Sequence, residues 1–177
     1  MHWKFKEIQK EKYLDIKKAS SLDDIPNSAI AEYFVNLFFC YKLKIKPTEF
    51  KKYVNTQIDD KLKPIFTAPG RVPDMWFKKD SHVYCVETTM IKNSRQILMM
   101  EPIPCTGHLY ETLNEHKLNF ENNHLYFINC KNNKEFSEKL SKAFEMGWEF
   151  AFKKGKKFCK LNFISYSFYD LVKMNNI

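Results

Sequence analysis

Arg71-Val72-Pro73-Asp74-Met75-Trp76-Phe77, then Lys78-Lys79-Asp80-Ser81, then His82-Val83-Tyr84-Cys85-Val86-Glu87-Thr88-Thr89: this stretch decides the architecture. The flanks, Arg71 to Phe77 and His82 to Thr89, are rich in β-branched and aromatic residues, and the polar tip between them has turn composition. Together they predict a hairpin. If it closes symmetrically about Asp80 and Ser81, Asp74 lies opposite Glu87 on one face, with Cβ atoms roughly 5 Å apart. Val72, Met75, Trp76, Val83, Val86 and Met90 flank the two acids, so the pair sits in apolar surroundings.

Two carboxylates that close repel each other unless a cation lies between them. A hard divalent ion such as Mg²⁺ suits such a pair, because it takes one or two carboxylates and fills its remaining positions with water and phosphate. The competing reading is an exposed cross-strand pair balanced by lysines. Downstream, the segment continues with Gln96, Glu101-Pro102 and His108, three more groups able to bind or orient an ion or a water.

Working outward, Asp23-Asp24-Ile25-Pro26 combines capping carboxylates with a proline suited to a first turn, and predicts a helix over about Asn27 to Tyr41. That helix is apolar around most of its circumference and should be buried. Lys46-Pro47-Thr48-Glu49 predicts another through about Asp60, and Pro64 and Pro69-Gly70 break the chain before the hairpin. After it come a helix over Ser94 to Met100, interrupted by Pro102 and Pro104, and a longer helix from Gly107 to about Asn119. A buried strand follows over Leu125 to Cys130. Phe136, Leu140, Ala143, Phe144, Gly147 and Ala151 recur at helical spacing, with Gly155 as the stop. Phe158 to Ser165 reads as a last strand and Phe168 to Met174 as a closing helix. Neither repeats nor a linker interrupt the chain, so the expectation is one α/β domain over residues 1–177, a mixed sheet flanked by helices.

Composition bounds the function. The 177 residues suffice for a sizeable core. With 44% hydrophobic residues and four glycines, neither disorder nor a glycine-rich phosphate loop is expected. The 29 basic against 21 acidic residues, a formal charge of +8, favour a polyanionic partner, with nucleic acid ahead of a membrane surface. Lys153-Lys154-Gly155-Lys156-Lys157, the N-terminal lysines and Lys51-Lys52 are each either solvated faces or phosphate grips. Five scattered cysteines with no Cys-x-x-Cys pair suggest a reducing compartment. The N-terminus lacks the apolar core of a signal peptide, and the longest apolar run is too short for a bilayer. A soluble cytoplasmic protein is expected.

Glu32 stands in the otherwise apolar Ser28 to Tyr41 run. Either it and Asn36 form a narrow polar stripe toward solvent, or it is a buried acid needing a partner or a metal. His108 is open to two readings as well, a helix-start residue bonded to backbone or a member of the acidic cluster. Cys105-x-x-His108 lacks the second pair that zinc requires. No Gly-x-Ser-x-Gly elbow, Walker loop or dinucleotide fingerprint is present.

Pro73-Asp74 followed by Glu87-x-Thr89 resembles the PD-(D/E)XK nuclease signature, with Thr89 where the lysine belongs. The ordered series Glu87-Thr88-Thr89-Met90, Arg95-Gln96, Glu101-Pro102 and Gly107-His108-Leu109 is similar to the AlwI-type branch of type IIS restriction endonucleases. The resemblance covers about residues 26–130, which would be the catalytic core. It implies a restriction-endonuclease-like fold and hydrolysis of double-stranded DNA with Mg²⁺, which Mn²⁺ could replace. It also implies that the chain is the cleavage domain or the small catalytic subunit of a type IIS enzyme, cutting one strand, with a larger recognition or nicking subunit as partner. By resemblance, Glu32, Asp74 and Glu87 would be the metal ligands, Glu101 and His108 would complete the catalytic set, and Gln96 could hold the attacking water or a phosphate oxygen. Lys92 or Arg95 could supply the charge that the missing lysine would have given. Two alternatives stand beside this: a repair or recombination nuclease of the same fold, and a basic nucleic-acid-binding module whose acids merely balance charge.

Overall fold

The structure is a computed structural model that describes residues 28–46, 49–60, 64–131, 133–152 and 157–175. The amphipathic start at residues 2–19, the Asp23–Pro26 helix opening, the Thr48 cap and the Gly155 stop lie outside them.

The hairpin forms as the residues demand. Strand β3 (Met75–Lys79) pairs antiparallel with β4 (His82–Thr88), with Met75 opposite Val86 and Lys79 opposite His82. The two-residue loop between them has positive φ at both Asp80 (49°) and Ser81 (66°). That is the twist-matched geometry of a tight hairpin turn. Extending the register by one residue places Asp74 opposite Glu87, as the symmetric closure predicts.

Around the hairpin the sheet is mixed, in the order β3-β4-β5-β6. Strand β5 (Asn123–Asn129) runs parallel to β4, and β6 (Phe163–Ser167) parallel to β5. Helix α1 (Ser28–Lys42) packs on one face, with the single-turn α2 (Phe50–Tyr53) and the closing α6 (Phe168–Asn175). Helices α3 (Ser94–Met100), α4 (Pro102–Glu115) and α5 (Lys134–Phe152) cover the other. Strand periodicity sorts the core accordingly. Met75, Phe77, Val86 and Ile128 join the α1 side, while Val83, Cys85, Leu125 and Phe127 join the α4–α5 side. Glu87, two residues beyond Cys85, points toward α4.

Four expectations are corrected. The first hairpin strand, expected over Arg71 to Phe77, runs Met75–Lys79, so Lys78 and Lys79 pair in the ladder and only Asp80 and Ser81 turn. The helix expected through Asp60 stops at Tyr53. Val54 then bridges Met75, and β1 (Gln57–Ile58) forms a small antiparallel ribbon with β2 (Pro64–Phe66). The helix expected from Gly107 starts at Pro102, because proline at the first helical positions lacks only an N–H that has no partner there anyway. The last strand begins at Phe163, not Phe158, since Cys159 and Lys160 are spent on Phe120, Asn123 and Trp148.

Helices α4 and α5 meet at Gly147, where an added Cβ would lie 2.8 Å from the Pro102 carbonyl oxygen and 3.0 Å from Thr106 Oγ1. Gly107 of α4, by contrast, has nothing among the described residues within 4 Å of its Cβ position apart from its chain neighbours and its own helix backbone. Gly147→Ala should therefore lose about 1–3 kcal/mol of stability by forcing the helices apart. Gly107→Ala should gain about 1 kcal/mol from helix propensity. Urea denaturation of the two variants checks this, and equal shifts in the same direction would refute the close approach.

Candidate active site

The site is built where β4 ends. In an open sheet with parallel strands, the carboxyl ends leave a crevice that loops and helix termini line. Here that edge carries Glu87, Thr88 and Thr89, with Asp74 at the entry to β3 beside them. Asp74 and Glu87 are both buried, and so are Glu32 and Asn36. The solvent-facing stripe is thereby excluded for Glu32.

A continuous hydrogen-bond network ties the acids to their supports. Asn36 Nδ2 donates to Thr56 Oγ1 (2.9 Å) and to the Asp74 carbonyl (3.2 Å), and Thr56 Oγ1 donates to Glu32 Oε2 (3.2 Å). The Ala68 N–H also donates to Glu32 Oε2, at 2.9 Å. Asp74 Oδ2 accepts from the Thr88 N–H at 2.7 Å. Glu87 Oε1 lies 2.8 Å from His108 Nδ1. Thr89 Oγ1 donates to Glu101 Oε1 at 2.7 Å, and Cys105 Sγ lies 3.7 Å from Glu101 Oε2. The position where the signature has lysine thus fixes Glu101.

Thr56, Ala68 and Asn36 were not singled out from sequence. Asn36, one helical turn beyond Glu32, carried the available signal. Thr56 and Ala68 enter through the β1–β2 ribbon, which the sequence did not announce.

Burial and mutual repulsion push the acids of this cluster toward their protonated forms. Burial raises Glu32 from 4.5 to about 7, against the hydrogen bonds from Ala68 and Thr56. Burial, then repulsion from Glu87 and Glu32, pushes Asp74 well above the usual carboxylate range. Burial, then Glu101 and Glu32, does the same to Glu87. His108 is lowered by burial, partly offset by Glu101. Both shifts favour the uncharged forms of Glu87 and His108, which lie 2.8 Å apart. Among the described residues no lysine or arginine pairs with these acids.

The donor set fits a hard divalent cation: oxygen ligands, more than one carboxylate, and mutual repulsion that an ion would relieve. Thr88 Oγ1 is buried at the same strand end, beside the Asp74 carboxylate. No three His, Cys, Asp or Glu among the described residues are already arranged around one point. Each acid is instead turned to a local hydrogen-bond donor. Asp74, Glu87 and Glu32 are the residues that could hold the ion, since both Glu101 oxygens are engaged by Thr89 and Cys105.

The remaining expected residues fall in two places. Gln96 and Arg95 are exposed in the first turn of α3, capped by Asn93, and Lys92 is exposed just before it, all following β4 at the same edge of the sheet. No described contact joins the Gln96 side chain to the acids. Lys157 is exposed next to Phe158 and Cys159, and Cys159 bonds to the Phe120 carbonyl ahead of β5. It therefore lies at the opposite, amino edge of the parallel strands. Lys153, Lys154 and Lys156 lie outside the described residues.

The pH dependence follows from these shifts. Between about 4.5 and 7 the unfolded chain has released the Glu32 proton while the folded chain keeps it. Stability of the metal-free protein should therefore fall as pH rises through that window. Asp74 and Glu87 shift in the same direction and deepen the fall. Asp74→Asn, which removes one repelling charge, should stabilise the metal-free protein by about 1–2 kcal/mol at about pH 8. Thermal melts across pH check this, and a lowered melting point for the variant would contradict it.

Comparison with known proteins adds a family and a fold. The model of the AlwI restriction endonuclease family matches residues 5–158. The crystal structure of the small subunit (R.BspD6I2) of the heterodimeric restriction endonuclease R.BspD6I is similar, with a TM-score of 0.56 at 17% identity, over 92% of this chain and 76% of that one. That likeness establishes the restriction-endonuclease-like fold expected from the sequence. No curated protein matches. The matched region takes in every acid of the cluster as well as His108, and the chain belongs to the AlwI restriction endonuclease family.

Proposed function

We propose that the chain is the small catalytic subunit of a type IIS restriction endonuclease, cutting one strand of double-stranded DNA with Mg²⁺ while a larger subunit recognises the site and cuts the other. The observation that carries the proposal is the buried, mutually repelling trio of Glu32, Asp74 and Glu87 at the carboxyl edge of β4. Such a trio is costly in a merely structural role, and it suits an enzyme of this family. The heterodimeric assembly of the similar small subunit supports a larger partner.

In this reading Asp74 and Glu87 hold the ion, with Glu32 behind them. A bound Mg²⁺ would lower the pKa of a water, polarise the scissile phosphate and neutralise the leaving oxygen. The protein's own part is positioning. Asn36 and Thr56 hold Glu32 and the Asp74 backbone, and the Thr88 N–H orients the Asp74 carboxylate. His108 fixes one Glu87 oxygen. Thr89 holds Glu101 at the start of α4. Lys92 and Arg95, at the same edge, face the approach of a phosphate backbone, and Gln96 beside them can orient a water or a phosphate oxygen. Lys157 at the far edge contributes only to long-range attraction of DNA, which weakens with salt.

Plasmid cleavage in Mg²⁺ by the purified chain together with its larger subunit tests the proposal. Asp74→Asn and Glu87→Gln should leave only the nick made by the larger subunit. Thr89→Val, which removes the hydroxyl behind Glu101, should slow second-strand cutting about 10- to 100-fold, as loss of a group that orients a ligand does. Linear product from Asp74→Asn at the wild-type rate would end the metal-site reading. Linearisation of arbitrary DNA by this chain alone would end the subunit reading.

A further inference from the structure

Arg71 stands in a backbone conformation that its side chain makes unfavourable. Its φ is 77°, in the left-handed region where a Cβ crowds the following carbonyl oxygen. Among the described residues, Lys44, Asp80, Ser81 and Lys117 are the other non-glycine residues with positive φ, and the fold accounts for each. Asp80 and Ser81 make the hairpin turn. Lys44 and Lys117 end α1 and α4, where the Ile45 N–H returns to the Cys40 carbonyl and the Leu118 N–H to the Leu113 carbonyl, both at 2.9 Å. Arg71 ends no helix, and the strands on either side of it, β2 and β3, belong to separate sheets. A glycine lies one position away. Gly70 keeps out of the left-handed region, and apart from its chain neighbours nothing described lies within 4 Å of its Cβ position. Strain kept where a glycine would remove it is a mark of function.

The placement of Arg71 says which function. Pro69, Gly70, Arg71 and Val72 form an exposed arch whose two feet rest on the site. At one foot the Ala68 N–H donates to Glu32 Oε2 at 2.9 Å. At the other, Asn55 Nδ2 donates to the Pro73 carbonyl at 2.7 Å, and the Asn55 N–H donates to the Asp74 carbonyl at 2.9 Å. The arch therefore runs from one acid to the next, and its position is fixed with theirs. Arg71 is its only charge, and the only charged residue from Pro64 to Pro73. Although it precedes Asp74 by three residues, it forms no ion pair or hydrogen bond among the described residues. It neutralises none of the acids.

An exposed guanidinium at the rim of such a site takes its anion from solvent. Arginine stays charged at every working pH and meets two phosphate oxygens with parallel N–H bonds. An arch tied down at both feet loses little freedom in holding such a contact. Lys92 and Arg95 follow β4, and Arg71 precedes β3, so cations stand before and after the hairpin that carries the acid pair.

We infer that Arg71 is a phosphate-binding residue, holding a backbone phosphate of the DNA strand that this chain cuts. The inference rests on the nuclease reading above and adds a residue that orients the strand. Plasmid cleavage by the full chain with its larger subunit, in Mg²⁺, at subsaturating DNA and a series of KCl concentrations, tests it beside thermal melts. Arg71→Gly should raise the melting point by about 2–4 °C. It should also slow second-strand cutting about tenfold or more, with the larger subunit's nick unchanged. The slope of log rate against log salt should fall by about one, as loss of a single phosphate contact requires. Arg71→Lys, which keeps the charge, should keep that slope and recover part of the rate. A variant both more stable and slower is not what a merely structural arginine gives. Three results would overturn the assignment and leave the nuclease reading standing: Arg71→Gly cutting at the wild-type rate, Arg71→Gly melting lower than wild type, or a photo-crosslinker at position 71 that reaches the larger subunit and not DNA. A wild-type chain that cuts no second strand would overturn both.

Discussion

The register of one hairpin governs the rest of the site. Because β3 and β4 close through a two-residue turn at Asp80 and Ser81, Asp74 must face Glu87. A slip of one residue would send either acid to the opposite face of the sheet, into the apolar cluster under α1. The register also brings the Thr88 N–H to within 2.7 Å of Asp74 Oδ2. The other acids and the histidine of the cluster gather round this pair: Glu32 from α1, His108 from α4, and Glu101 from the junction of α3 and α4.

The arrangement trades stability for chemistry. Carboxylates shielded from water and pushed upward by one another are a liability in an empty protein. The fold holds them by over-determining their positions. Asn36 and Thr56 are buried solely to support Glu32 and the Asp74 backbone, and Thr89 takes hold of Glu101 where the family's usual signature has a lysine. Substituting threonine for lysine thus exchanges a charge for a positioning hydroxyl. Thr89 brings no charge to the cluster, and Lys92 and Arg95 are the cations that follow β4 in sequence.

Much of this was legible in the sequence because it depends on short-range rules. Turn composition and symmetric closure fixed the hairpin pairing, and the helix expected over about Ser94 to Met100 forms over those residues. Glu32 was marked by being the one acid in an apolar helix. The β1–β2 ribbon was not legible, since Gln57–Ile58 is two residues long and is held by tertiary bonds, not by any pattern of its own. With it went Thr56 and Ala68. The early start of α4 was hidden because Pro102 and Pro104 break a helix interior yet open a helix well. The role of Thr89 needed Glu101 in space. Charge runs were the poorest guide, for Lys157 stands at the edge of the sheet away from the acids.

Anomalous diffraction from crystals of the chain grown with Mn²⁺ tests the central claim most directly. The account predicts a peak about 2 Å from carboxylate oxygens of both Asp74 and Glu87, with Glu32 next nearest among the acids. Under conditions in which Mn²⁺ supports cleavage, a hairpin edge without a peak, or an ion bound at a different set of residues, would contradict it.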